Sequence, residues 1–335
     1  MKKNYKKLVA MQLVSVLLFL FFASAHANDS TARVATGGIS FIKSEDIRMK
    51  QEILEVSTNA IRVRYRFINE KGADIQATVA FPMPAYGWNA NESGSDANMH
   101  PLRPFSTLVN GHFVSTTIDR RAMIGGRDIT NTLRKIGLND SQIFETFAHC
   151  SDDGTEKKFE LCGLTKIQVE SVKQLGGWTV HETALWEHVF PAYKDIEVLH
   201  EYSPLVGSSY SIPYQKGFGY ISSMLVNSNS SEACVDEGVQ KAIKKRIELL
   251  VNRGAKNVGV VLEEVEYILG TGRNWKGEIS DFKLRIVKKS SDQLVSLCFP
   301  GKPKRVGQTM LEFSQNDFIP QDRLVIYFYT VKEFD

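Results

Sequence analysis

None of the 335 residues falls into a C-x-x-C, C-x-x-H, His-x-His or His-Glu-x-x-His spacing, so the chain carries no zinc or metalloprotease signature. The nucleophile elbow G-x-S-x-G is missing too: Gly207-Ser208-Ser209-Tyr210 lacks both the second glycine and a strand-to-helix setting. Gly217-Phe218-Gly219 and Gly270-Thr271-Gly272 lack the third glycine and the following helix of a dinucleotide site, and read as turns. Asp152-Asp153-Gly154 matches a calcium loop for three residues and lacks its closing Glu. These gaps leave no cofactor and no metal to be expected. Beyond Phe22 no apolar run is long enough to span a bilayer, so no transmembrane segment is expected in the mature chain.

What the first residues do contain is an export signal. Lys2, Lys3, Lys6 and Lys7 form a basic start, Leu8 to Phe22 is an almost unbroken apolar run, and Ala25-His26-Ala27 is the small-x-small pattern that precedes cleavage. Residues 1–27 therefore read as a signal peptide cut between Ala27 and Asn28, and the product as exported, periplasmic or secreted. Its removal takes away four of the 41 basic residues and none of the 38 acidic ones. The formal charge then moves from +3 to about −1, which argues against a nucleic-acid partner.

All four cysteines, Cys150, Cys162, Cys234 and Cys298, lie in the exported part, where an oxidising compartment favours disulfides. Of the three possible pairings, Cys150–Cys162 across one short polar loop and Cys234–Cys298 within the carboxy-terminal segment are the expected ones.

Periodicity gives a mainly β, α+β chain. Ile61-Arg62-Val63-Arg64-Tyr65-Arg66-Phe67 alternates apolar residues with arginines, the pattern of a half-buried strand. Turn residues Asn69 to Gly72 and a second alternation through Ile75, Ala77, Val79 and Phe81 predict an antiparallel hairpin with it. Asn110-Gly111 predicts another between Phe105–Val109 and Phe113–Ile118. From Ile124 to Leu175 the period shifts towards that of helices, with a capping box at Thr165-Lys166-Ile167-Gln168 and a stop at Gly176-Gly177. Strands return at Trp178–Phe190 and Ile196–Tyr202. Ser203–Ala233 reads as a joining segment. Next comes an amphipathic helix with Val239, Ala242, Ile243, Ile247 and Leu250 on one stripe and Asp236 and Glu237 at its start. Strands then follow at Val258–Leu269, Phe282–Val287, Leu294–Cys298 and Leu324–Tyr329. The expected architecture is a β-sandwich-like domain over 28–230, with a helical insertion at about 122–177, and an α+β domain over 231–335.

Several segments together resemble a bacterial exported family, domain of unknown function 4424. They are Gly38-Ile39-Ser40-Phe41, the strand ending in Asn69, Val79-Ala80-Phe81-Pro82-Met83-Pro84, Arg120-Arg121-Ala122, and Asp128-Ile129-Thr130. The longest runs from Tyr267-Ile268-Leu269-Gly270-Thr271-Gly272-Arg273-Asn274-Trp275-Lys276-Gly277 through Ile279 and Asp281-Phe282 to Leu294-Val295-Ser296-Leu297-Cys298. The resemblance implies an envelope location and a β-rich fold, and no activity.

Two features suggest binding. The stripe of Arg62, Arg64 and Arg66 suits a polyanion, although acids near Glu52 and Glu55 or at Asp74 would neutralise it more simply. The long connection from Pro82 to Pro104 carries Tyr86, Trp88 and His100, aromatics available to a ligand or partner. The remaining mature histidines, His112, His149, His181, His188 and His200, have no chelating spacing; on a regular strand His181 and His188 face opposite ways. The sequence thus favours a non-catalytic module that binds another envelope protein or a small ligand. The alternative is a hydrolase with its active site in a cleft between the two lobes.

Overall fold

The computed structural model describes residues 30–35, 38–89, 105–144, 163–227 and 233–334. The signal segment and its cleavage site, His100, His149, the Asp152-Asp153-Gly154 loop, and Cys150 with Cys162 lie outside these residues. The first strands, β1 (Ser30–Ala35) and β2 (Gly38–Ile42), pair antiparallel. The arginine-alternating segment forms β4 (Ile61–Asn69), and its hairpin partner is the preceding strand β3 (Ile47–Val56). Ser57 closes that turn by bonding both the amide and the carbonyl of Ala60. The expected hairpin of β4 with β5 (Ile75–Pro82) does not form. Buried Asn69 ends β4 by donating its side-chain amide to the carbonyls of Ala73 and Phe190, so the turn carries the chain across to a second sheet.

Strand β6 (Tyr86–Asn89) is followed by β7 (Ser106–Val109) and β8 (His112–Phe113), the hairpin expected at Asn110-Gly111. Both turn residues have positive φ, 49° and 80°, the backbone that an Asn-Gly pair supplies. After β9 (Thr117–Ile124) and β10 (Arg127–Asp128) come helices α1 (Thr130–Lys135), α2 (Asp140–Phe144) and α3 (Lys166–Leu175). Helix α3 starts with the reciprocal Thr165–Gln168 capping box and stops at Gly176 in the left-handed region, φ 74°. Strands β11 (Gly177–Phe190) and β12 (Asp195–Tyr202) match the expected ones. The segment read as a joint is instead structured, as β13 (Val206–Pro213), a 3-10 turn and α4 (Phe218–Asn227). Helix α5 (Glu237–Asn252) is capped by the Asp236 carboxylate, which accepts from the Val239 amide. The rest is β14 (Val258–Ile268), a 3-10 helix (Gly270–Asn274), β15 (Ile279–Val287), β16 (Leu294–Leu297), β17 (Lys304–Val306), β18 (Met310–Phe318) and β19 (Arg323–Glu333).

The described residues form three sheets. The largest has the order β17-β18-β15-β3-β4-β12-β7-β8, with β15 and β3 parallel. Its inner face packs on the second sheet, β10-β9-β11-β5-β1-β2 with β6 also on β11, and on the third, β13-β14-β19-β16. Phe67 meets Phe190 edge-on at 6.1 Å across the first of these interfaces, and the Tyr65 and Tyr267 hydroxyls bond at 3.1 Å across the second. Strand β19 is buried on both faces: Leu324, Ile326 and Phe328 face the large sheet, while Val325, Tyr327 and Tyr329 face α4 and α5. Its continuous apolar run follows from that central place.

Residues 28–230 and 231–335 share both a sheet and a core, because β15 lies beside β3 and Phe282, Leu284 and Ile286 join the cluster of Leu54, Val63 and Tyr65. The Tyr267 to Gly277 block makes that crossing. Its 3-10 helix is tied by the Leu269 and Gly270 amides to the Asp322 carbonyl, and Trp275, 1% exposed, lies 4.5 Å from the Phe67 ring. The Cys234 and Cys298 sulfurs are bonded, which joins the start of α5 to the end of β16. Among the described residues no helix is long and apolar enough to cross a membrane.

Candidate functional site

At one end of the second sheet, α1, α2 and α3 close over β9, β11 and β6 through a core of Ala122, Leu133, Ile143, Val172 and Trp178. The Trp178 indole donates to the Ile143 carbonyl at 3.0 Å, fixing the helices to the strand. Beside this junction opens a cleft of about 620 Å³ with walls from Asp119, Arg120, Arg121, Asp128, Asn131 and Arg134.

The local sequence explains its polarity. Arg120 and Arg121 are adjacent on β9, so their side chains leave by opposite faces. Arg120 registers with Glu182 of β11, and Arg121 registers with His181. Glu182 is only 2% exposed; its carboxylate lies 2.7 Å from Arg120 Nε and accepts from the Tyr86 hydroxyl at 3.2 Å. That hydroxyl also reaches the Phe144 carbonyl at 3.0 Å. Arg121 bridges two acids, donating to Asp119 at 2.7 Å and to Asp128 at 3.2 Å. Arg134 pairs with Asp140 at 2.9 Å.

The Arg121 guanidinium is held above its ordinary range, first by its hydrogen bond to Asp119 and further by the charges of Asp119 and Asp128. Burial pushes the Asp128 carboxyl up, but hydrogen bonds from Thr130 and then Arg121 outweigh it, leaving Asp128 below the usual carboxylate range. Thr130 acts as an organiser: its amide donates to Asp128 and its hydroxyl accepts from the Ala122 amide. The cleft therefore presents fixed, paired charges and is equipped to hold a polar molecule by donors and acceptors. Among the described residues no group of three or more His, Cys, Asp and Glu side chains is arranged to hold a metal ion.

The residues singled out from sequence fall in different places. Tyr86 is 6% exposed and does not line this cleft; it donates to Glu182, the buried partner of the lining Arg120. Trp88 sits in β6 opposite Trp178. The arginine stripe lies on the outer face of the large sheet, whereas the cleft is built beside β9 of the second sheet. Arg62 there is taken up by Glu55 at 3.2 Å and Glu201 at 3.0 Å, in a row that alternates in sign across Glu201, Arg62, Glu55, Arg285, Glu312 and Lys304. Arg64 and Arg66 are exposed on the same face. His200 is fully buried, its Nδ1 at 3.2 Å from the Thr107 hydroxyl and its ring edge-on to Trp186 at 4.7 Å. His181 and His188 register with Arg121 and Ala77, on opposite faces of β11.

Glu182, Asp119 and Arg134 were not legible as site residues. A signal for Glu182 exists in hindsight: it is the one acid on the apolar side of β11, between Val180 and Ala184.

The model of the family described as "Domain of unknown function (DUF4424)" matches residues 27–327. No protein of curated function matches the chain. Among solved structures, the crystal structure of a "putative nutrient binding protein" from Legionella pneumophila subsp. pneumophila str. Philadelphia 1 is 13% identical, over 91% of this chain and 70% of that one, with a TM-score of 0.44. So distant a likeness carries no argument about ligand or mechanism.

Proposed function

The chain belongs to the DUF4424 family, and we propose that it is an exported envelope protein that binds a small polar ligand, or a polar segment of another envelope component, without transforming it. The observation that carries this reading is the state of the cleft: its lining acids Asp119, Asp128 and Asp140 each lie against a guanidinium, and the lining Arg120 lies against buried Glu182. A general acid has to hold a proton near neutral pH, which calls for a carboxyl raised by burial or by a neighbouring acid. Asp128 is shifted the opposite way. Paired charges of both signs with amide and hydroxyl groups between them suit recognition instead.

Export is supported by the amino-terminal pattern and by the Cys234–Cys298 bond, since such bonds persist in oxidising compartments. The hydrolase reading asked for a cleft between residues 28–230 and 231–335, whereas this one is built entirely from Ile118 to Phe144. The test is to incubate the mature protein with the small-molecule extract of its own envelope and follow each compound by mass spectrometry. The reading expects a compound that is retained by the protein and recovered unchanged. Consumption of a compound with appearance of its hydrolysis product would overturn it.

A further inference from the structure

A second cleft, of about 430 Å³, opens where the large sheet and the four-stranded sheet part company. Three cations converge on it from three elements: Arg246 from α5, Lys288 from the end of β15 and Arg305 from β17. Helix α5 carries Arg246 at the margin of its buried stripe, between Ile243 and Ile247, so the side chain emerges towards the cleft and not with the solvated Lys241, Lys244 and Lys245. The Lys288 ammonium donates to the Ser291 carbonyl at 2.8 Å, which fixes its head at the wall. Gln308 and the turn at Gly307 complete the polar rim, and Leu294, Val295 and Met310 make an apolar floor.

The charge is not balanced locally. Asp292 pairs with Arg246 at 3.3 Å, but its side chain is 86% exposed and does not line the cleft. Arg305 forms no ion pair among the described residues. The Lys288 amine is held below the ordinary lysine range, first by burial and then by the charges of Arg305 and Arg246, with Asp292 offsetting only part of this. Like charges placed together at a partly buried site are unfavourable unless a counter-charge arrives to meet them.

We propose that this cleft is an anion site which takes a phosphate group, free or carried on a small organic molecule, held between Arg246, Lys288 and Arg305. Two guanidiniums and an ammonium match a tetrahedral oxyanion, whose several oxygens accept from several donors at once. The apolar floor leaves room for the carbon skeleton of a phosphate monoester beside the charged group. The site shares no residue with the cleft of the preceding section, so it stands or falls independently of the function proposed there.

The experiment uses the full mature chain with its disulfide intact. Inorganic phosphate and glycerol 3-phosphate are titrated calorimetrically, with glycerol and an ionic-strength-matched chloride solution as controls. Wild type is expected to bind at least one phosphate-bearing probe and neither control, with weaker binding at high salt. Tighter binding of glycerol 3-phosphate assigns the site to a monoester, and equal or tighter binding of inorganic phosphate assigns it to the free anion. Lys288→Gln and Arg305→Gln, both at the cleft rim, should each weaken binding by about tenfold or more, the loss expected for one charge-assisted hydrogen bond. Circular dichroism confirms that the variants keep the fold. Absence of binding by wild type at millimolar phosphate and glycerol 3-phosphate, or affinities left unchanged by both folded variants, would overturn the proposal.

Discussion

Replacing Glu182 by Ala removes the one carboxylate buried on the core side of β11 and leaves two partners behind. Breaking a buried ion pair by deleting one member costs about 3–5 kcal/mol when the survivor stays dry. Here the survivor is the Arg120 side chain, 32% exposed and lining the cleft, so water reaches it and the cost falls to about 2–3 kcal/mol. The Tyr86 hydroxyl keeps its bond to the Phe144 carbonyl and adds little. Glu182→Gln preserves an acceptor for Tyr86 while losing the charge, and should cost about 1–2 kcal/mol. The double change Arg120→Met with Glu182→Leu removes both ions and should recover most of the loss, because a well-packed apolar pair avoids desolvating charge. Urea unfolding followed by tryptophan fluorescence reads this directly, since Trp178 and Trp186 flank Glu182 on the same strand and are themselves buried. The reasoning is refuted if Glu182→Ala leaves the midpoint unchanged, or if the double variant is destabilised by the full sum of the two single changes.

The other expectations can be checked with the same preparation. Cys234→Ser opens a bond spanning 64 residues and should lower stability by about 4 kcal/mol, within the 2–5 range for such bonds, as measured against the wild type with its disulfide intact. Trp275→Ala empties the space against Phe67 and Phe190 and should cost about 3–5 kcal/mol in urea unfolding, whereas a change at exposed Arg62 should cost well under that. Burial holds His181 and His188 below the ordinary 6.5, so the unfolded chain takes up protons first. Stability should be complete above that value and fall as the pH drops through the depressed ones; unfolding midpoints of wild type and of the His181→Gln/His188→Gln double variant, compared on either side of 6.5, test this by a reduced acid slope in the variant. A reporter fused just beyond Asn28 should be recovered cleaved and oxidised outside the cytoplasm, and an uncleaved membrane-embedded precursor would count against export.

Local chemistry was the part of the fold that could be read from residues alone. The Asn110-Gly111 turn, the Thr165–Gln168 box, the α5 stripe and the long strand β11 depend on neighbours within a few positions, and all four are in the structure. Pairing between distant strands was not readable. The alternation in β4 fixes which residues face inward, but it does not say whether β3 or β5 lies alongside, and the buried Asn69 sends the next strand into another sheet. Ser203–Ala233 looked like a joint because its strand and helix are short and rich in Ser and Gly; they form because the α5–β14–β19 core receives Ile212, Ile221 and Leu225. Both clefts escaped sequence reasoning for the same reason. Arg246, Lys288 and Arg305 meet only through the packing of α5 on two sheets, and Arg120 meets Glu182 only through the β9–β11 register.

Retention of a ligand by the protein as cells make it bears most directly on the binding function. Mature chain purified gently from its native envelope should carry, in native mass spectrometry, an added small mass or a bound envelope component. The combined change Asn131→Ala and Arg134→Ala, at the rim of the first cleft, should abolish that addition while the intact disulfide and the unfolding midpoint show the fold preserved. A bare mass from wild type, or an addition other than a phosphate-bearing one that survives in the folded variant, would contradict the account.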